Sequence, residues 1–407
     1  MRVAVIGAGS WGSAVARLLA GTGHSVMLWA RNAQLVAHIN ATRQNPHYLP
    51  DIELGEGVAA TDQMPVALQR AQAVVLATPS QAVRATCAAM ASAYPPGVPL
   101  LLLSKGLENA SGLLLLDVIA KVLATDQGSG SSEGKAATPR ESELLATAQG
   151  DKMPISAPSG VFAHAASVGV RVREFEPSGV SAGQAETYGS LKEQTPVVAE
   201  RPVPLAVLSG PNHAEEVARE MLSATVIASQ ATAVAGFFQS LLGTDFFRIY
   251  TSTDTVGVQL CGAAKNVIAI ASGLASGLGL GDNTAAMLMT RGLAEIARLV
   301  VACGGKGQTC MGLAGMGDLI ATCTSQHSRN RAFGLALAAG AHYQDYERQN
   351  KMVVEGALAC QSITRLACAH QVDMPICETM RGVIWEGQPL QEIIPALMRR
   401  SAKPEFY

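Results

Sequence analysis

The first half of the chain repeats one rhythm. Short apolar, branched runs at residues 2–6, 25–30, 73–77 and 100–103 are separated by longer stretches with mixed polarity. Runs of that length and composition predict strands. Those at 73–77 (AVVLA) and 100–103 (LLLL) have no polar alternate, as expected of a parallel sheet covered on both faces. Helices are predicted at 13–20, 33–40 and 62–71, the last capped by Asp62. Another is opened by Thr78 as N-cap with Pro79 at the first helical position. Residues 45–57 read as a loop. Three further strands are expected at 204–208, 224–228 and 246–250, with a helix at 231–242 between the last two.

Two changes of character divide the chain. Residues 125–201 are rich in Gly, Ser, Glu and Pro and read as a partly flexible insertion, with a more apolar portion at 155–172 that suits a hairpin. From Asp254 onward the strand-like runs stop and helical periodicity takes over. The expected organisation is an α/β domain from 1–124 and 202–253, the insertion 125–201, and an all-α domain from 254–407.

The first strand is followed at once by Gly7, Gly9 and Gly12, in the pattern G-x-G-x-x-G, and then by a small apolar helix. Gly7 permits a sharp turn out of the strand. Gly9, lacking a Cβ, lets a pyrophosphate approach the backbone, and Gly12 lets the helix pack close to the sheet. The free N–H groups of the helix N-terminus then face the anion. Behind a strand and ahead of a helix, this pattern predicts a dinucleotide site. The second strand ends in Arg31, where an NAD-selective site would carry Asp or Glu. Arg31 suits a 2′-phosphate or stacks on adenine, so NADP is expected to be used at least as well as NAD; a solvated surface Arg is the plainer alternative.

Ligands of open parallel sheets sit beyond the carboxyl ends of strands. That places Thr78, Pro79, Ser80 and Lys105 on the crevice rim, although spacing alone also allows an ordinary surface lysine at 105. Gly210, Asn212 and Ala214 follow the 204–208 strand in the same way. His213, beside them, reads more readily as a structural residue than as a base. The first helix of the all-α part is apolar and small, yet contains Lys265 and Asn266. A buried lysine is costly unless it is paired or works chemically, and burial lowers its pKa toward the range useful for proton transfer. Lys265 is therefore the candidate general acid/base, with a core ion pair as the alternative. Asp318 follows a pair of glycines. Ser328, Arg329 and Asn330 bring together a hydroxyl, a guanidinium and an amide, a set suited to phosphate. Glu355, after Val353 and Val354, either reaches the cofactor or simply starts a helix.

Composition narrows the classes. Of 407 residues, 48% are hydrophobic and 15% charged, enough for a sizeable core, and the net charge of −2 argues against nucleic acid as a main partner. The eight cysteines show no C-x-x-C spacing and read as buried, reduced thiols; no metal-ligand cluster is found. A strand beginning at residue 2 leaves no room for a leader, and no uninterrupted apolar run implies a membrane span, so the expected compartment is the cytoplasm.

Seven segments together resemble one family: GAGSWG near the start, SKGLE at 104–108, SGPNHAEE at 209–216, GVQLCGAAKNVIAIASG at 257–273, GMGDLIATC at 315–323, SRNRAFG at 328–334 and VVEG at 353–356. In this order they are similar to soluble, bacterial-type NAD(P)-dependent glycerol-3-phosphate dehydrogenases. The resemblance implies a Rossmann-like dinucleotide domain joined to a helical substrate domain. It implies reversible hydride transfer between NAD(P) and glycerol 3-phosphate, with dihydroxyacetone phosphate as the ketone, feeding glycerophospholipid synthesis. It assigns Lys265 as acid/base. Lys105, Gly210, Asn212, Asp318, Ser328, Arg329 and Asn330 become substrate positions. Ser10, Trp11, Arg31, Lys105, Ala214, Arg329, Val353 and Glu355 become cofactor positions. The insertion departs from the family pattern, and a homodimer is implied by analogy only. Two competing readings stay open at this point: a dehydrogenase of 3-hydroxy acids, and a redox sensor that binds NAD(P) without turnover.

Overall fold

A computed structural model describes residues 1–125, 203–350 and 353–390. Nearly all of the expected insertion, including the hairpin at 155–172, lies outside the described residues.

Among the described residues the α/β part carries ten strands. They are β1 (Arg2–Ile6), β2 (Ser25–Trp29), β3 (Gln44–Asn45), β4 (Leu49–Glu53), β5 (Val58–Thr61), β6 (Ala73–Leu76), β7 (Leu100–Leu102), β8 (Leu205–Ser209), β9 (Ser223–Ala228) and β10 (Phe247–Ser252). Its helices are α1 (Ser10–Gly21), α2 (Ala33–Thr42), α3 (Met64–Leu68), α4 (Val83–Ala91), α5 (Leu115–Thr125), α6 (Ala214–Ala218) and α7 (Thr232–Leu242). Eight strands form one sheet in the order β10-β9-β8-β7-β6-β1-β2-β5. All neighbours are parallel except β8 and β9, so the last two strands run against the rest. The carboxyl ends of β1, β6, β7 and β8 therefore share one edge. Alternate residues of β1 feed opposite faces: Val3 and Val5 pack toward α1, whereas Ala4 and Ile6 enter the core shared with the helical part.

The helical part contains α8 (Thr255–Gly277), α9 (Gly281–Ala302), α10 (Asp318–Thr324), α11 (Arg329–Ala338), α12 (Tyr343–Asn350), α13 (Glu355–Ala369) and α14 (Pro375–Glu386). The helix α8 is its axis. Asp254 caps it, accepting from Gly257 N at 2.8 Å, and nearly every residue along it is buried. It is the one helix among the described residues long and apolar enough to cross a membrane, and it lies wholly inside the protein. Its small residues let neighbours come close. A Cβ on Gly273 would stand 2.1 Å from Arg331 O, and one on Gly334 2.2 Å from Ile270 O, so α11 lies backbone to backbone against α8. Both parts belong to one compact unit.

Four local expectations need correction. Asp62 does not cap a helix: α3 begins at Met64 after an uncapped Gln63 and ends at Leu68, its start fixed by Pro65. Thr78 is not an N-cap. Pro79 keeps an extended ψ of 146°, a 3₁₀ turn occupies Ser80–Ala82, and α4 starts only at Val83. The segment 45–57 is no plain loop. It contains the β3–β4 hairpin, and Asn45 Nδ2 donates to Ala8 O at 2.9 Å and Ser13 Oγ at 2.8 Å, tying the hairpin to the glycine-rich turn. The short edge strand β5 was also missed, because Val-Ala-Ala-Thr is too brief to carry a period. Finally, six of the eight cysteines are buried, but Cys303 is half-buried and Cys368 exposed.

Candidate active site

The glycine-rich turn has the shape its sequence demands. Gly7 adopts φ +120°, and a Cβ there would lie 2.7 Å from Ala77 O; a Cβ on Gly12 would lie 1.9 Å from Gly7 O. Only glycine permits this contact between the start of α1 and the sheet. A Cβ on Gly9 would meet nothing within 4 Å, so the backbone there faces open space. No side chain caps α1, leaving the N–H groups of its first turn to an anion.

Three buried polar atoms lack a partner beyond the carboxyl ends of adjacent strands: Trp11 Nε1 after β1, Thr78 Oγ1 after β6 and His213 Nε2 after β8. Such atoms are costly in a finished interior and natural in a crevice shaped for a polar ligand. With the open backbone at Gly9, they fit a dinucleotide. The Trp11 ring stands edge-on to Phe247, 6.3 Å between centroids. Arg31 is exposed just past β2. Ala214 is buried at the first position of α6.

The second half of the site is a charge cluster drawn from three elements. Lys105, on the turn after β7, reaches Asp318 Oδ2 at 2.8 Å, Gly210 O at 3.1 Å and Asn212 Oδ1 at 3.2 Å. Lys265, midway along α8, reaches Asp318 Oδ1 at 2.5 Å and Thr322 Oγ1 at 2.7 Å. Asp318, at the start of α10, thus pairs with two lysines and is 2% exposed. Lys265 is buried in an ion pair, the alternative that its sequence left open, and that pair stands among the other candidate site residues.

The cluster has a further layer. Asn212 Nδ2 donates to Thr225 Oγ1 at 3.0 Å, and that hydroxyl donates to Ser209 O at 2.9 Å. Ser209 Oγ approaches Asp318 Oδ2 at 3.4 Å. The sheet and the helical part are therefore locked to one carboxylate.

Burial is the main influence on these charges. It pulls the Lys265 ammonium down to about 8; Asp318 opposes that pull, and Lys105 adds to it. Burial pushes the Asp318 carboxyl up, but the two lysines outweigh it, so the group ends below its ordinary value. Glu355, the first residue of α13, is raised by burial and held back by Arg329, Lys265 and Lys105 in turn.

The expected phosphate trio divides. Arg329 is exposed, and its charge acts on Glu355. Ser328 is the N-cap of α11, its Oγ accepting from Arg331 N at 3.2 Å. Asn330 is buried, donating to Asn266 Oδ1 at 2.9 Å and accepting from Gly356 N at 2.9 Å. It links α8, α11 and α13 beside Lys265. Val353 is half-buried just ahead of α13. Thr322, Thr225, Ser209 and Asn45 were not found by the sequence reading. Thr322 alone carried a signal, standing one helical turn after Asp318.

Comparisons with known proteins identify the family. A family model described as NAD-dependent glycerol-3-phosphate dehydrogenase N-terminus matches residues 2–132 and 181–235, and its C-terminus counterpart matches 254–395. A glycerol-3-phosphate dehydrogenase [NAD(P)+] of Streptomyces avermitilis is 38% identical over 405 residues, covering 100% of this chain and 98% of its own. The namesake of Nocardia farcinica is 37% identical, covering 99% of each. The crystal structure of glycerol-3-phosphate dehydrogenase from Coxiella burnetii superposes with a TM-score of 0.76 at 29% identity, covering 98% of this chain and 99% of its own. The chain belongs to the NAD-dependent glycerol-3-phosphate dehydrogenase family.

Proposed function

We propose that the protein reversibly reduces dihydroxyacetone phosphate to sn-glycerol 3-phosphate with NADPH or NADH and so feeds glycerophospholipid synthesis. The observation that carries this reading is the convergence of Lys105 and Lys265 on Asp318, at the same carboxyl edge of the sheet as a glycine-rich turn shaped for a dinucleotide. A nicotinamide cofactor held at the Gly7–Gly12 turn would supply the hydride in one direction and accept it in the other.

Lys265 is the acid/base in this reading. An ammonium has three N–H donors. Two are held by Asp318 and Thr322, and the third is assigned to the substrate oxygen at C2. In reduction the ammonium gives its proton to the developing alkoxide; in oxidation the neutral amine takes the hydroxyl proton. A pKa of about 8 lets one residue do both near neutral pH. Lys105 has all three donors engaged, so its part is to fix Asn212 and Asp318 and to add positive charge; contact with substrate requires it to exchange a partner. Arg329 is the main phosphate ligand, with the Ser328 hydroxyl beside it. Asn330 acts by holding Asn266 next to Lys265. Phosphate binding away from the reacting carbon orients a small substrate for reaction.

For the cofactor, Gly7, Gly9, Gly12, Ser10 and Trp11 take the pyrophosphate region and Arg31 the adenosine end. Ala214, Val353 and Glu355 complete the pocket. Retained Lys105, Lys265 and Asp318 favour an enzyme over a sensor, and Arg329 with Ser328 favours a phosphate over the carboxylate of a 3-hydroxy acid. All eight cysteines are free thiols, which supports a reducing compartment, the cytoplasm. Homodimeric assembly is proposed by family analogy alone.

The test is loss of NADPH or NADH absorbance with dihydroxyacetone phosphate, for the wild type and Lys265→Ala. Turnover in the wild type, reduced by about 10²- to 10⁴-fold in the variant, is expected for a lost acid/base. Binding of both cofactors without oxidation of either would remove the substrate assignment and leave the dinucleotide site standing.

A further inference from the structure

One feature beside the active site plays no part in that chemistry. Cys261 and Cys310 are both fully buried, and their sulfurs lie 3.6 Å apart. The two residues come from separate elements. Cys261 is on α8, one helical turn ahead of Lys265. Cys310 is in the 3₁₀ turn Gly307–Met311, which runs through a π-turn at Leu313–Gly317 directly into Asp318.

The approach of the two thiols is built in. Asp254 caps α8 through Oδ1, and its Oδ2 accepts from Lys306 N at 2.9 Å and Thr309 Oγ1 at 2.5 Å. One carboxylate thus clamps the turn that carries Cys310 to the helix that carries Cys261. On the far side, a Cβ on Gly315 would stand 2.1 Å from Cys310 O, so the glycine turn is pressed against the Cys310 backbone.

We propose that Cys261 and Cys310 form a reversible intramolecular disulfide on exposure to a peroxide, and that this bond disables the site by displacing Asp318 from Lys265. Cys310 is taken as the first nucleophile because its turn continues directly into exposed Met311, whereas Cys261 lies inside buried α8; the hydrogen bond from Cys261 also holds the Cys310 thiol below its ordinary value. Its thiolate attacks one oxygen of hydrogen peroxide. The O–O bond breaks, hydroxide leaves and takes up the thiol's proton as water, and Cys310 becomes a sulfenic acid. Cys261 then loses its proton and attacks the Cys310 sulfur. The S–O bond breaks, and a second water leaves. Two thiols give up two electrons and two protons, and the peroxide is reduced to two waters. A dithiol reverses the bond by exchange.

The geometric consequence follows from bond length. Closing a disulfide brings the sulfurs to about 2.05 Å. The clamp at Asp254 fixes the near side of the turn, so the displacement passes forward into the Gly312–Asp318 segment. A shift of ~1 Å at reacting groups costs on the order of 10²-fold in rate.

The experiment treats the full chain with hydrogen peroxide. It follows activity and maps cysteine peptides from a non-reducing digest. Expected are a fall in activity of ~10-fold or more, recovery with dithiothreitol, and a peptide joining residues 261 and 310 that is lighter by two hydrogens. Cys310→Ser should keep wild-type basal activity, resist peroxide and yield no joined peptide; Cys261→Ser serves equally if the first variant folds poorly. Absence of the joined peptide once exposed Cys368 is fully oxidised would overturn the proposal, as would unchanged sensitivity of the serine variants. The peptide map needs no turnover, so it stands apart from the substrate assignment.

Discussion

Replacing Asp318 by Asn isolates the charge from the shape of the site. Asp318 meets Lys265 at 2.5 Å and Lys105 at 2.8 Å, and no other carboxylate among the described residues forms an ion pair with either. Burial alone drives Lys265 downward; the charge of Asp318 is the main influence holding it at about 8. An opposite charge at such range shifts a pKa by about 1–3 units. Without it, and with Lys105 still repelling, Lys265 should fall to ~5–7. At pH 7.5 its protonated fraction then drops from roughly three quarters to between ~0.3% and ~24%. Reduction, which needs the ammonium, slows by about 3- to 200-fold through this effect alone. Oxidation, which needs the amine, is not slowed by this effect, because the amine fraction rises from about a quarter to at least ~76%. The assay is kcat for NADPH oxidation at saturating dihydroxyacetone phosphate between pH 5.5 and 9, repeated in the reverse direction. The alkaline limb near 8 should move down by at least one unit. A limb that stays near 8, with both directions slowed by one constant factor, would refute the argument: Asp318 would then act by contact alone.

Other perturbations follow from the same geometry. Arg31→Asp removes a cation from the end of β2 and places an acceptor for a ribose hydroxyl there, so the NADPH/NADH ratio of kcat/KM should fall by tenfold or more; an unchanged ratio would return Arg31 to the solvated surface. Gly12→Ala forces a Cβ to 1.9 Å from Gly7 O and should abolish cofactor binding in a fluorescence titration; retained affinity would mean that the turn yields at little cost. Glu295 concerns stability alone. Burial raises its carboxyl to about 8 although it accepts from Ile376 N at 2.9 Å. Its folded pKa lies above its unfolded value, so it contributes stability below about pH 4.5 that is lost as the pH climbs through 8. Glu295→Gln does not titrate, so its Tm relative to wild type should rise between pH 5 and pH 8.5; a constant difference would show that Glu295 does not titrate in that range.

How much of this was legible depended on the range of the interaction. The glycine-rich turn is local: strand, glycines and helix are consecutive, and three glycine positions record where a backbone must pass. Lys265 was legible because a lysine on an apolar helix is an energetic contradiction that calls for an explanation. What the sequence withheld was the partner. Asp318 lies 53 residues away from Lys265 and 213 from Lys105, and no periodicity encodes that their side chains meet. Ser328 carried two signals at once. Serine beside arginine suggests a phosphate ligand, and the same serine ahead of a helix suggests a cap; the structure shows its oxygen accepting at the helix start, which leaves its hydrogen free to donate. Thr78 and Pro79 failed as a cap because proline also suits an extended turn, and the chain needed three more residues before α4.

The division of labour between the two parts explains why neither suffices. The sheet edge delivers Lys105 and Asn212 as turn residues, whose backbones the strands hold in fixed register. The helical part delivers Lys265 from inside α8, where it is buried, and Asp318 from the start of α10. A buried lysine without a carboxylate would lose its charge, and a buried carboxylate without lysines would take up a proton. Each part therefore presents a group that is unstable in its ionised form by itself. The charged cluster exists only when sheet and helices are packed together, and in the proposed mechanism Asp318 is the residue that ties that packing to Lys265. A substitution in the interface that leaves both parts folded but loosens Asp318 should thus cost kcat before it costs stability.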